Sequence, residues 1–159
     1  MSNYNKIMMK NNMIALASRI TETAHKLIVR ELELRGIHGV VPSHGGILTL
    51  LFTGDPFTMK DLAEKIHRTK PTVTVLVDKL VSLGYVIKEK SRKDNRSTFI
   101  KLTEEGWKLK PAFLEISESV NSLVYKGLSD KEAECAEAIL GKIKCNLEEL
   151  EEPCSRALF

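Results

Sequence analysis

Residues 70–96 combine side chains that can neutralise phosphates with side chains that can hydrogen-bond to base edges. Lys70, Thr72 and Thr74 crowd the first turns of a predicted helix, and each threonine offers a hydroxyl together with a methyl group that can touch thymine. Downstream, five cations fall within nine residues, opposed there only by Glu89 and Asp94. They are Lys88, Lys90, Arg92, Lys93 and Arg96. These residue types predict a surface for a duplex nucleic acid; the alternatives are ordinary surface threonines and an exposed charged turn.

The charge of the chain is unevenly distributed. The net charge is only +3, but residues 60–101 hold eleven Lys and Arg against five Asp and Glu, whereas residues 129–159 hold four against eight. A concentrated positive charge favours a polyanionic partner, because Lys and Arg displace the counterions condensed on phosphates. A scatter of solvated surface charges is the alternative.

Two helices with a short turn between them carry the threonines. The first is predicted to start at Thr58, which resembles a capping box with Asp61. The second, over residues 70–84, has Thr69 in the capping position and Pro71 in its first turn. Its predicted buried stripe is Val73, Leu76, Val77 and Leu80. The side chains left outside the stripe are Lys70, Thr72, Thr74, Val75, Asp78 and Lys79.

A hairpin is predicted to follow this helix-turn-helix. Residues 85–90 and 97–102 are rich in β-branched and aromatic side chains, and the polar residues 91–96 join them as a turn. A cationic ribbon of this kind can follow the DNA backbone and place a guanidinium in the minor groove. Asp94 can hold Arg96 in position for that contact.

Both ends of the chain carry apolar stripes at helical spacing. In the first helix, predicted over residues 5–35, the stripe is Met13, Ala17, Ile20, Ala24 and Leu27. The last helix opens with a capping box of Ser129 and Glu132, and its stripe is Ala136, Leu140, Ile143, Leu147 and Leu150. Seams of this length favour a second copy that covers them; the alternative is that both pack on the central region.

Two further helices complete the prediction. One starts at Pro42 and contains Gly45 and Gly46, which predict close packing against another backbone because glycine is otherwise unfavourable in a helix. The other starts at Thr103 and is predicted to run to Gly127 with a bend at Pro111.

The order of these elements resembles the MarR (multiple antibiotic resistance regulator) family of winged helix-turn-helix regulators. The resemblance covers nearly the whole chain and includes the Asp94-Asn95-Arg96 tip, the LTEEG sequence of residues 102–106 and the GLSDKE sequence of residues 127–132. It implies a homodimer formed by the first and the last two helices that binds a pseudo-palindrome. It also implies that residues 69–75 lie in the major groove and Arg96 in the minor groove. Many members carry Arg or another polar residue where this chain has Val75, so the base contact there would be apolar.

Together these features predict a mainly α fold with a small β-wing (α+β), a winged helix-turn-helix with N- and C-terminal dimerisation helices. Residues 1–159 are predicted as one domain, with a DNA-binding core at 42–102 and dimerisation helices at 5–35 and 103–150. The predicted function is a dimeric transcriptional repressor, with helix 70–84 in the major groove and wing 88–101 in the minor groove. Its predicted DNA contacts are Thr69, Lys70, Pro71, Thr72, Thr74, Val75, Lys79, Lys90, Arg92, Lys93 and Arg96.

The resemblance also implies control of the regulator by a ligand. A small aromatic or phenolic effector is the expected signal, and His25, His44 and Trp107 are candidates for its pocket without any being assigned. Two alternatives stay open: a thiol-based redox sensor that uses Cys145 or Cys154, and a winged-helix module that binds protein instead of DNA.

Other function classes find little support in the sequence. The four histidines are scattered without ligand spacing, and we find neither a phosphate-binding loop nor a nucleophile elbow, so we expect no enzyme, cofactor or metal site. No run of about 18 apolar residues and no signal peptide is present, which predicts a cytoplasmic protein without a membrane partner.

Overall fold

The computed structural model describes residues 12–90 and 98–149, which form seven helices and three strands. The helices are α1 Met13–Leu34, α2 Pro42–Leu51, α3 Met59–Lys65, α4 Lys70–Ser82, α5 Glu104–Lys108, α6 Lys110–Val124 and α7 Asp130–Glu148. The strands are β1 Phe57–Thr58, β2 Val86–Lys90 and β3 Thr98–Leu102. The predicted fold class, mainly α with a small β-wing, is confirmed.

The three strands form one antiparallel sheet in the order β1-β3-β2. In the predicted hairpin, Val86 pairs with Leu102 and Lys90 with Thr98, so both strands lie within one residue of their predicted bounds. The sequence did not reveal β1, in which Phe57 pairs with Ile100. A strand of two residues is too short to show the alternation by which strands are recognised.

Two compact units make up the chain, one ending at Val120 and the other beginning at Asn121. The first contains the helix-turn-helix, the sheet and most of α6, and the second contains the end of α6 and all of α7. The assignment of residues 1–159 to one domain stays a prediction.

The core of the first unit is built on the inner face of α4. Val73, Val77 and Leu80 are completely buried, as the helical spacing predicted, while Leu76 is half-buried. Leu62 of α3 and Ile100 of β3 are buried in the same apolar cluster. Burying each such side chain contributes about 1.5–3 kcal/mol, so α4 is held by the core from one side and leaves its other side free.

Polar side chains cap α3 and α7 at their N-termini. Asp61 accepts from the backbone N–H of Thr58 at 2.9 Å and Thr58 Oγ1 accepts from that of Asp61 at 3.2 Å, which confirms the predicted box. The backbone N–H of Thr58 and, next, its hydroxyl both donate to the Asp61 carboxylate, and they lower the pKa of Asp61 because they stabilise its charged form. Glu132 accepts from the backbone N–H and the hydroxyl of Ser129, as predicted for α7.

The cap of α2 is a buried histidine. His44 is only 4% exposed, and its Nδ1 accepts from the backbone N–H of Val41 at 3.0 Å. Burial lowers the pKa of His44, and the nearby charge of Lys79 on α4 lowers it further.

Thr103 joins the end of α4 to the start of α5. Its hydroxyl donates to the carbonyl of Gly84 at 2.6 Å and accepts from the backbone N–H of Gly106 at 3.0 Å. Its own N–H donates to the carbonyl of Tyr85 at 3.1 Å. A Cβ at Gly106 would lie 2.1 Å from that same oxygen, so the junction leaves no space for any side chain at this position.

Two local expectations were wrong. A Cβ at Gly45 would meet nothing within 4 Å, and one at Gly46 would first meet the side chain of Ile66 at 3.4 Å, so neither glycine serves a close backbone approach. The helix predicted from Thr103 to Gly127 is two helices, interrupted at Leu109 rather than bent at Pro111. Pro111 has no N–H to donate to the preceding turn and is well suited to the first turn of a helix, so one helix ends before it and a new one begins at Lys110.

Gly106→Ala should destabilise the protein by about 1–3 kcal/mol, because the added methyl group overlaps the Tyr85 carbonyl oxygen. Gly45→Ala is the matched control and should stabilise by about 0.5–1 kcal/mol, since the new methyl meets no atom and helix propensity improves. Urea denaturation measures both. Equal midpoints for the two variants would contradict the steric argument.

Stability should fall on acidification as His44 takes up a proton. Its pKa in the folded state lies below the ordinary 6.5, so its contribution is complete above about pH 6.5 and is lost as the pH falls through the folded-state value. His44→Asn supplies an oxygen acceptor that does not titrate and should weaken this loss in unfolding measured from pH 7.5 to 5. The exposed His25→Asn should retain the wild-type profile. A His44→Asn profile parallel to wild type would refute the assignment.

Candidate nucleic-acid interface

One face of α4 points away from the core. By helical geometry, Pro71, Val75 and Asp78 lie opposite the buried Val73 and Val77. All three outward residues are exposed, and Val75 is 69% exposed. The face also carries Thr72 and Lys79 at its edge, so it holds five of the residues singled out from the sequence.

The threonines of α4 use their hydroxyls within the helix. Thr69 occupies the N-cap position with extended backbone, but its hydroxyl makes no capping bond and instead lies 2.9 Å from that of Thr72. Thr74 donates to the carbonyl of Lys70 at 2.9 Å and is half-buried. The predicted N-cap position of Thr69 is therefore confirmed. The predicted capping bond was wrong, because the hydroxyl of Thr69 bonds to that of Thr72 instead.

The cations at either end of the outward face lack carboxylate partners. Neither Lys70 nor Lys79 forms an ion pair with any residue in the described ranges, and both are exposed. The stem of Lys79 lies beside Gly39 in the loop before α2, where its Cε would be 3.8 Å from an added Cβ. Both charges are therefore available to phosphate oxygens.

The turn between α3 and α4 adds a cationic groove that the sequence analysis did not assign. Lys60, His67, Arg68 and Lys70 line it together with Ala63, Glu64 and Thr69, and its volume is about 380 Å³. His67 adopts the left-handed conformation with φ of 51°, which turns the chain sharply between the helices. The high density of Lys and Arg from residue 60 onward indicates a cationic surface, but the sequence alone does not show that Lys60 and Arg68 line the same groove.

The β-wing is tied to α4 by an ion pair. Lys88 of β2 donates to Asp78 of α4, and Lys101 of β3 donates to Glu89 of β2 at 2.7 Å. Lys90 is exposed at the end of β2. Of the predicted wing contacts, Arg92, Lys93 and Arg96 lie outside the described residues. Lys88 therefore differs from Lys70 and Lys79 in having a carboxylate partner.

The described ranges contain neither a metal-binding cluster nor a membrane-spanning helix. No three His, Cys, Asp or Glu side chains come together there as a metal site. None of the helices in these ranges is long and apolar enough to cross a membrane.

Residues 42–98 match the model of the MarR family, a segment that runs from the start of α2 to the start of β3. Among curated proteins, the chain is 28% identical to the uncharacterised HTH-type transcriptional regulator YkoM of Bacillus subtilis strain 168 over 105 residues, which cover 66% of this chain and 68% of YkoM. Over 110 residues it is 27% identical to the HTH-type transcriptional regulator MhqR of the same strain, covering 69% and 75% of the two chains.

Solved structures show the same fold over most of the chain. The MepR–DNA complex of Staphylococcus aureus superposes with a TM-score of 0.77 at 26% identity and covers 84% of this chain and 97% of MepR. A mutant MarR of Escherichia coli complexed with operator DNA has a TM-score of 0.73 at 19% identity, which concerns the fold alone. The segment matched by the family model, the regulators similar in sequence and the shared winged-helix architecture make this chain similar to the MarR family of transcriptional regulators.

Proposed function

We propose that this protein is a dimeric repressor that binds a pseudo-palindromic operator in double-stranded DNA. In each copy α4 enters the major groove and the wing of residues 88–101 lies along the minor groove. The observation that carries the proposal is the geometry of α4, which is held by its fully buried stripe and exposes the opposite face between the cations Lys70 and Lys79. A helix presented in this way matches the width of the B-DNA major groove.

The arrangement of charge supports this orientation. The groove of Lys60, Arg68 and Lys70 lies at the N-terminal end of α4, and Lys90 lies on β2, so cations are placed on two sides of the outward face. A recognition helix between two such groups can approach the bases while the cations contact phosphates on the flanking strands. That a MepR structure was solved with DNA and a MarR structure with operator DNA also supports the proposal.

Dimerisation is supported by apolar side chains that one copy leaves exposed. In the first unit, α1 exposes Met13, Ile14, Leu16 and Ile20, of which Ile14 is 74% exposed. In the second unit, α7 exposes Ile139, Leu140 and Leu147. Exposed apolar rows of this length are costly in water, and a second copy of the chain is the partner that the symmetric operator requires.

Repression and its relief are the finer part of the proposal. A dimer bound over a promoter excludes polymerase, and a small aromatic or phenolic effector would release it. An open groove of about 430 Å³ along α1, lined by Glu22, His25, Lys26, Val29 and Arg30, is accessible to such a ligand. Trp107 is 41% exposed and its ring lies tilted against Phe52 with the ring centroids 6.4 Å apart, so this single tryptophan offers a fluorescence signal for ligand titration. His44 is buried and bonded, which argues against its use as a ligand contact.

The alternatives predict different outcomes in the same assays. Cys145 is exposed and Cys154 lies outside the described residues, so redox control stays a prediction, tested by DNA affinity before and after mild peroxide treatment. If the protein were a protein-binding module, it would not bind genomic duplexes. Selection of bound fragments from the source genome in dilute salt therefore tests the proposed function directly, and failure to enrich any duplex would overturn it.

Loss of the groove cations should weaken binding by the same factor for every sequence. The double variant Lys60→Ala with Arg68→Ala removes two phosphate contacts, so the slope of log affinity against log salt concentration should decrease in magnitude by roughly 2. The control, Lys131→Ala with Lys142→Ala on α7, removes the same charge far along the chain and should leave the slope within about 0.5 of wild type. Fluorescence anisotropy with a fixed duplex measures both, and equal slopes for the two doubles would exclude the groove from the interface.

Replacing two apolar residues of α7 with lysine should yield monomers. Leu140 and Leu147 are 56% and 54% exposed in one copy, so the variant Leu140→Lys with Leu147→Lys should still fold. It places two cations in the proposed dimer interface, where burying them is costly. Glu134→Gln with Glu149→Gln changes the net charge equally on the opposite side of the helix and should preserve the dimer. Light scattering reports the mass. A dimer that persists in the lysine variant would place the interface elsewhere.

A further inference from the structure

Val75 occupies the centre of the outward face of α4 although it is apolar. A single exposed valine is ordinary on a protein surface. Here, however, it lies directly opposite the buried stripe, one turn after Pro71 and Thr72 and one turn before Lys79. A partner that contacts the centre of this face therefore meets the two methyl groups of Val75.

The centre of the outward face offers no side chain suited to paired hydrogen bonds with a base. The residues of α4, KPTVTVLVDKLVS, include no Arg, Asn or Gln, and the two lysines, Lys70 and Lys79, lie at either end of the face. Thr74 donates its hydroxyl hydrogen to the carbonyl of Lys70, and the hydroxyls of Thr72 and Thr69 bond to each other. Asp78 accepts from Lys88. Between the two lysines, Val75 therefore presents methyl groups.

One group in the major groove is complementary to such a surface. Thymine carries a C5-methyl group there, whereas cytosine, adenine and guanine present only hydrogen-bonding atoms and C–H edges. Valine has one strongly preferred rotamer in a helix, so it can hold its methyl groups against another methyl with little loss of entropy. The contact removes apolar area from water on both partners.

We propose that Val75, with Pro71 and Thr72 beside it, reads a thymine C5-methyl group in each operator half-site. Lys70 and Lys79 then position the helix through phosphates or guanine edges, and the methyl contact supplies sequence preference between them. This inference rests on the proposed function, since it requires α4 to lie in the major groove.

Replacing thymine by deoxyuridine tests the proposal, because base pairing is preserved and only the methyl group is removed. Each thymine of a selected operator half-site is replaced singly, and affinity is measured for the wild-type protein and for Val75→Ala. One or two positions should show a loss of about fourfold in the wild type, the factor that corresponds to one buried methyl group. At those positions Val75→Ala should bind thymine and deoxyuridine equally.

Val81→Ala is the matched control variant, since it removes the same atoms from an exposed valine of the same helix on a different side. It should keep the wild-type sensitivity to deoxyuridine. Wild-type binding that is insensitive at every thymine would overturn the methyl contact while leaving DNA binding intact. Sensitivity that survives in Val75→Ala would assign the contact to another residue and equally overturn the inference. Failure to bind any duplex would remove the proposed function itself.

Discussion

The hydroxyl of Thr103 provides the constraint on which the interface depends. It donates to the carbonyl of Gly84, just after α4, and accepts from the amide of Gly106 in α5, so α4, the strand β3 that ends just before Thr103, and α5 are linked at one point. Beside this link, the backbone of Gly106 lies so close to the Tyr85 carbonyl that no side chain fits between them. The outward face of α4 and the strands of the wing consequently keep a fixed relation, which is required if one duplex is to contact both.

Polar and charged groups are distributed differently on the inner and outer sides of α4. The inner side of α4 packs against apolar side chains, and among the described residues only His44 places a buried titratable group in the interior, where it accepts from the backbone N–H before α2. On the outer side, Lys70 and Lys79 have no carboxylate partner in the described ranges, so the positive potential is directed outward. Exposed ion pairs elsewhere contribute little to stability, so the fold is held by its core and by caps rather than by surface charge.

Much of this arrangement was predictable because it is encoded locally. The buried stripe of α4, the Thr58 box and the two wing strands each follow from residues close in sequence. What could not be predicted depends on neighbours distant in sequence or on competition between equivalent groups. The strand β1 forms only through its pairing with β3. The hydroxyl of Thr69 bonds to Thr72 instead of capping the helix. Lys60 and Arg68 line the same groove only because the chain turns at His67.

The pairing of Asp78 with Lys88 bears on how the proposed complex would be oriented. A carboxylate on the outward face of α4 is repelled by phosphates, so docking that laid α4 across a sugar–phosphate strand would bring two negative charges together. The same carboxylate would be tolerated over the floor of the major groove, where amino groups of cytosine and adenine point outward. In the proposed complex, Asp78 would therefore disfavour orientations in which α4 lies across the backbone, and its pairing with Lys88 would reduce that repulsion.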